Sequence, residues 1–169
     1  MAQKKGLSMA NLKEGAAAPD FTLPRDGGGT VSLAEFRGKS VVLFFYPKDD
    51  TSGCTAESIA FTALASEFAA AGAVVIGMSP DSVKKHDKFT KKYDLSVILA
   101  ADEDKTILNA YGVWVEKSMY GRRYMGVERT TVLIDANGLV GRIWEKVKVA
   151  GHAEEVLVAT KSLAERVGK

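Results

Sequence analysis

Six consecutive apolar residues, Val41-Val42-Leu43-Phe44-Phe45-Tyr46, limit what this chain can fold into more than any other stretch. A strand with one face in water alternates apolar and polar positions. A strand apolar throughout must be covered on both faces, as at the centre of a sheet held between helices. The segment Pro47-Lys48-Asp49-Asp50-Thr51-Ser52-Gly53-Cys54 then leads into an amphipathic helical pattern that starts at about Gly53. The only cysteine of the 169 residues therefore falls in the first turn of a helix, at the end of a central strand. Unpaired backbone N–H groups and the positive end of the helix dipole stabilise a thiolate at such a place. The competing reading is a small hydrophobe buried in a core, which would see neither.

The rest of the chain supplies neighbours for that strand. Residues 1–12 are polar, small and unpatterned, a loosely held leader in which Leu7 and Met9 could dock weakly, and residues 13–169 read as a single domain. Asp20 to Leu23 is a short extended segment ending at Pro24. Asp26-Gly27-Gly28-Gly29 turns it into Thr30-Val31-Ser32-Leu33, a hairpin. No Lys-Ser/Thr follows the glycines, so they form a turn and not a phosphate loop. Ser32 to Phe36 has room for one helical turn before Gly38. Ile59, Phe61, Leu64 and Phe68 recur at helical spacing up to Gly72, and Val74 to Met78 is a second buried strand. Asp81 or Ser82 caps a helix with Val83, Phe89 and Tyr93 inward and Lys84, Lys85, Lys88, Lys91 and Lys92 in water. That lysine face is read as solvated, with docking of an acidic partner as the alternative.

Val97 to Leu99 is a short strand, and Asp104 to Tyr111 a short helix closed by Gly112. Residues 113–127, aromatic and broken by Gly121 and Gly126, predict an irregular loop or ragged hairpin near the cysteine. Thr130 to Ile134 and Leu139 to Trp144, joined by Asp135-Ala136-Asn137-Gly138, predict a hairpin. A last helix from about Ala153 sets Ala153, Val156, Leu157, Thr160, Leu163, Ala164 and Val167 on one stripe. This order predicts an α/β fold, a mixed central sheet with helices on both faces and an N-terminal hairpin. The cysteine then sits at the carboxyl end of a central strand, where open α/β sheets place their sites.

Composition excludes several functions. A net charge of +2, from 23 basic and 21 acidic residues mixed along the chain, gives no stripe for nucleic acid or an anionic membrane. No apolar run approaches the roughly 18 residues needed to span a bilayer. Met1-Ala2-Gln3-Lys4-Lys5 leads into a mixed segment rather than an apolar signal core, so a cytoplasmic protein is expected. One cysteine makes no internal disulfide, which suits a reducing compartment.

Pro47, Thr51 and Cys54, spaced Pro-x-x-x-Thr-x-x-Cys, resemble the active-site signature of the peroxiredoxins. Phe44 to Thr51, Gly53-Cys54-Thr55, Glu57, Gly77-Met78-Ser79-Pro80-Asp81, Tyr111-Gly112-Val113-Trp114 and Glu128-Arg129-Thr130-Thr131 are similar to the bacterioferritin-comigratory-protein or Q-type branch of these AhpC/TSA-like proteins. The likeness runs from about Lys13 to the C-terminus. Ser52 stands where proline is common in this branch, and both residues suit a helix start. The resemblance implies a thioredoxin-like fold and a peroxidase that reduces hydrogen peroxide and alkyl hydroperoxides through a Cys54 sulfenic acid. It implies no cofactor and no metal. Many relatives carry a resolving cysteine five residues later or in a later helix. Here the first position is Ile59, and Ser82 to Tyr93 holds no thiol. A one-cysteine cycle closed by an external thiol (thioredoxin, glutaredoxin or glutathione) follows, in a monomer or weak homodimer.

Thiolate formation alone does not make a fast peroxidase. Lowering a thiol pKa from about 8.5 to about 6 raises the thiolate fraction at pH 7 roughly thirtyfold, while the accompanying loss of nucleophilicity removes roughly ten- to twentyfold. The remaining gain is about twofold, so the site must stabilise charge as the O–O bond breaks. Candidate donors are the N–H groups of Gly53 and Cys54, the Thr51 hydroxyl and the Arg129 guanidinium. By resemblance, Thr51 and Arg129 orient the peroxide and Pro47 shields the thiolate. Glu57 either favours the helix start through the dipole or, the preferred reading, pairs with Arg129 and aims it. A cysteine hydrolase would need a histidine base, yet His86 and His152 both read as surface residues. Two histidines and one cysteine also make a poor metal site. A non-enzymatic thioredoxin-like binding or chaperone module is the stronger alternative.

Overall fold

The computed structural model describes residues 12–167, so all of the expected leader except Leu12 lies outside it, Leu7 and Met9 included. Strands β1 (Thr22–Pro24) and β2 (Thr30–Ser32) form the N-terminal hairpin, and a single 3-10 turn follows at Ala34–Phe36. Then come β3 (Ser40–Phe45), α1 (Ser52–Ala63), α2 (Ala65–Ala70), β4 (Ala73–Ser79), α3 (Val83–Tyr93), β5 (Ile98–Ala101) and α4 (Thr106–Ala110). The chain continues through β6 (Trp114–Met119), β7 (Arg122–Val127), β8 (Thr130–Ile134), β9 (Val140–Trp144) and α5 (His152–Val167). The main sheet has the order β5-β4-β3-β8-β9, with β3 at its centre, parallel to β4 and antiparallel to β8.

The apolar run sorts by parity, because successive strand side chains point to opposite faces. Val42, Phe44 and Tyr46 join Phe61 of α1, Phe68 of α2, Phe89 of α3 and Val156 of α5 in one buried cluster. Val41, Leu43 and Phe45 join Phe21, Val31, Leu108, Tyr111 and Val127 on the other face. Each large apolar side chain fully buried contributes about 1.5–3 kcal/mol, so this central strand anchors both layers. Gly77 is required by the same packing. It lies opposite Phe44 in the ladder, and a Cβ there would stand 2.7 Å from the Phe44 ring.

Three expectations need correction. Ile59 is 43% exposed, because the inward face of α1 is Cys54, Glu57, Ser58 and Phe61, two of them polar. The helix predicted to run to Gly72 is interrupted at Leu64, whose φ of −102° and ψ of 8° leave the helical range and separate α1 from α2. Residues 113–127 form the hairpin of the two alternatives, and it is regular, not ragged. Strands β6 and β7 pair without a break from Trp114↔Val127 to Met119↔Arg122. Their turn is Tyr120-Gly121, both at positive φ (54° and 78°), the geometry that matches strand twist. A bulky residue seldom takes that conformation, so Tyr120-Gly121 gives no sequence signal for a regular two-residue turn.

Candidate active site

Sheet register brings the distant pieces of the site together. Phe45 pairs with Thr130 in the antiparallel β3–β8 ladder, so Arg129 lies one step beyond β8, level with the end of β3 where the chain turns toward Cys54. The backbone around Arg129 is fixed: its carbonyl accepts from Val147 N–H at 3.0 Å, and Glu128 N–H donates to the Val113 carbonyl at 2.8 Å.

From that position the guanidinium forks. Nη2 donates to Cys54 Sγ at 3.4 Å and Nη1 to Glu57 Oε1 at 2.7 Å. Cys54 and Glu57 are each 1% exposed, whereas the Arg129 side chain is 19% exposed. Cys54 is thus as buried as a core cysteine, and what sets it apart is the cation at its sulfur. Gly53 makes room for that cation, since a Cβ there would meet Nη2 at 3.1 Å. Thr51 is the N-cap of α1 but makes no side-chain capping bond. Its Oγ1 donates instead to the Lys48 carbonyl at 2.8 Å. The first helical hydrogen bond runs from Thr55 N–H to the Thr51 carbonyl, so the N–H groups of Ser52, Gly53 and Cys54 stand ahead of the ladder. Pro47 is half-buried at the end of β3.

Burial pushes the Glu57 carboxyl up to about 7, against the opposing pull of Arg129. Its Oε2 has no hydrogen-bond partner among the described groups. Burial alone would lower the Arg129 pKa, but the charges of Cys54 and Glu57 outweigh it and hold it above its usual value. Glu57 lies in the second turn of α1, and no acidic residue occupies the first.

Neither histidine is a surface residue. His86 is fully buried in α3, against Asp49 and the Ala100 carbonyl. His152 is 5% exposed at the start of α5. It lies 2.8 Å from Thr131 Oγ1, edge-on to Phe61 and Trp144, and burial lowers its pKa. Helical spacing carried a signal for His86, which falls on one stripe with Val83 and Phe89. The surrounding lysines masked it. Among the described residues the sulfur's only polar side-chain partner is Arg129, and no histidine base faces it.

The AhpC/TSA family matches residues 15–143. Peroxiredoxin Bcp of Bacillus subtilis is 45% identical over 155 residues, covering 92% of this chain and 99% of that protein. Peroxiredoxin Bcp of Xanthomonas campestris is 45% identical over 160 residues, with 95% and 100% covered. The solved structure of the X. campestris bacterioferritin comigratory protein, described for its alkyl peroxide reduction activity, superposes with a TM-score of 0.84 at 44% identity, covering 90% of this chain and 98% of that one.

Proposed function

The chain belongs to the AhpC/TSA family, in its Bcp or Q-type peroxiredoxin branch, and on that footing we propose that Cys54 is the peroxidatic thiol and that Arg129, Glu57, Gly53, Thr51 and Pro47 prepare it. The fold is thioredoxin-like, and the protein is a thiol-dependent peroxidase whose single cysteine fits a one-cysteine cycle. A non-enzymatic binding module no longer describes it.

The Cys54 thiolate attacks the hydroxyl oxygen of the peroxide, an S–O bond forms, the O–O bond breaks, and the departing oxygen takes a proton to leave as water or alcohol. Two electrons pass from sulfur to peroxide. An external thiol then displaces water from the sulfenic acid to form a mixed disulfide, and a second thiol releases Cys54. Arg129 acts at the first of these steps. Its contact with Sγ at 3.4 Å is the observation that carries this reading, because a cation there can hold the thiolate and then the oxygen that gains charge. Glu57 keeps the guanidinium aimed through its 2.7 Å bond, and Gly53 leaves the space it occupies. Thr51 orients the peroxide and Pro47 limits water at the thiolate.

The substrate is a peroxide and the reductant a thiol. Hydrogen peroxide and alkyl hydroperoxides on one side, and thioredoxin, glutaredoxin or glutathione on the other, are the members of those classes assigned here. A cytoplasmic setting and a monomer or weak homodimer complete the reading, with residues 13–169 as one domain. No described helix is long and apolar enough to cross a membrane.

Arg129→Met tests the assignment. The variant should reduce peroxide roughly a hundredfold more slowly, a loss larger than its change in thiolate fraction, as followed by the pH dependence of alkylation. A rate that merely tracks the thiolate fraction would contradict the role given to Arg129.

A further inference from the structure

Five buried polar side chains that have no bond to Cys54 or Arg129 hold the loop leading to the cysteine. Tyr46 Oη donates to Asp49 Oδ1 at 2.6 Å, and His86 Nδ1 lies 2.6 Å from Asp49 Oδ2. The Asp49 N–H donates to Asp81 Oδ2 at 2.8 Å, and Ser79 Oγ donates to the same oxygen at 2.7 Å. None of the five residues is more than 8% exposed. The second ring nitrogen of His86, Nε2, sits 3.0 Å from the Ala100 carbonyl. A carbonyl can only accept, so Nε2 carries a hydrogen. The short contact on the other side of the ring therefore holds one further proton between His86 and Asp49, and the pair is neutral overall wherever that proton rests.

The next residue is fastened to the same helix. Asp50 adopts φ 64°, uncommon for a residue other than glycine, and its carboxylate accepts from Lys92 Nζ at 2.9 Å and Tyr93 Oη at 2.7 Å. His86, Lys92 and Tyr93 all belong to α3. Two consecutive residues of the loop are thus bound to one helix, and Thr51, the N-cap of α1, follows directly.

We propose that His86 and Asp49 are positioning residues for the peroxidase reaction, their shared buried proton locking the 47–51 loop onto α3 and so fixing Thr51 and the start of α1 with respect to Arg129. The proposal rests on Cys54 being the reacting thiol. The groups acting on the His86 ring from other elements are Asp49 of the loop, Asp81 ahead of α3 and the Ala100 carbonyl of β5, with Tyr46, one residue past β3, bonded to Asp49. Lys85, on its own helix, reaches only Asp81, at 4.0 Å. Burial disfavours the imidazolium, but the hydrogen bond and charge of Asp49, the Ala100 carbonyl and the charge of Asp81 outweigh it and hold the His86 pKa above its ordinary value. The proton is therefore in place at low pH and leaves as pH rises through that raised value. The lock loosens on the alkaline side.

The test compares an NMR titration of the His86 ring in the unmodified protein with its peroxide rate constant across pH, and repeats the rates on His86→Gln and Asp49→Asn. The unmodified protein should lose rate on an alkaline limb that coincides with the His86 titration. Both variants should lack that limb and, while unfolding cooperatively, react roughly tenfold to a hundredfold more slowly. Should the variants fail to fold, the comparison on the unmodified protein decides alone. A rate profile indifferent to the His86 titration overturns the proposal, as do folded variants that keep the limb and react within about twofold of the original. Intact mass is read on the same samples: if the unmodified protein gains no oxygen on Cys54, the Cys54 assignment fails, and the proposal with it.

Discussion

Replacing Glu57 with glutamine should make the protein more stable and slower at once. Glu57 is 1% exposed, with one oxygen on Arg129 and the other without a partner among the described residues. Burial carries its pKa from an ordinary 4.5 to about 7 in the folded chain. A carboxyl whose folded value is raised contributes stability that is fully present below its unfolded value and is lost as pH rises through the folded one. The gap of about 2.5 between the two values, at about 1.4 kcal/mol for each, comes to about 3 kcal/mol withdrawn between pH 4.5 and 8. Glutamine has the shape of the protonated carboxyl and does not titrate. Glu57→Gln should therefore match the original protein near pH 4.5 and exceed it by about 3 kcal/mol at pH 8. Its peroxide rate should fall roughly tenfold, because the guanidinium loses the carboxylate that aims it. Urea unfolding of both proteins across this range measures the first quantity, and peroxide kinetics the second. A stability difference that does not change with pH, or a variant less stable at pH 8, would refute the reasoning.

Gly53→Ala should react roughly tenfold more slowly although alanine favours the helix, because the new Cβ meets Arg129 Nη2 at 3.1 Å; an unchanged peroxide rate would show that the guanidinium yields freely. Thr51→Val removes the hydroxyl that donates to the Lys48 carbonyl and should cost about 1 kcal/mol of stability together with a larger loss of peroxide rate. Urea unfolding and peroxide kinetics on the one variant separate the two effects.

Much of this was legible in the chain. The run from Val41 to Tyr46 announced a strand buried on both faces, and the cysteine's distance from it announced a helix start. The meeting of Arg129 with Cys54, 75 residues apart, was not legible from spacing alone, because the β3–β8 register sets it. The resemblance supplied Arg129 as a candidate, and the ladder supplied the reason it arrives. The histidines were misread for a common cause. A neutral or proton-sharing imidazole satisfies its hydrogen bonds inside a core, and neighbouring lysines or a helix start give no sign of that. That residues 113–127 form a regular hairpin and neither a loop nor a ragged pairing was not legible, because its side chains are largely exposed and show no in–out alternation to read.

Intact mass after one equivalent of peroxide, with no reductant present, tests the central claim most directly. The protein should gain one oxygen on Cys54 and remain a single chain on a non-reducing gel, returning to its starting mass when a thiol is added. A protein that stays unoxidised, or that converts mainly to a disulfide-linked dimer through Cys54, would contradict a one-cysteine cycle closed by an external thiol.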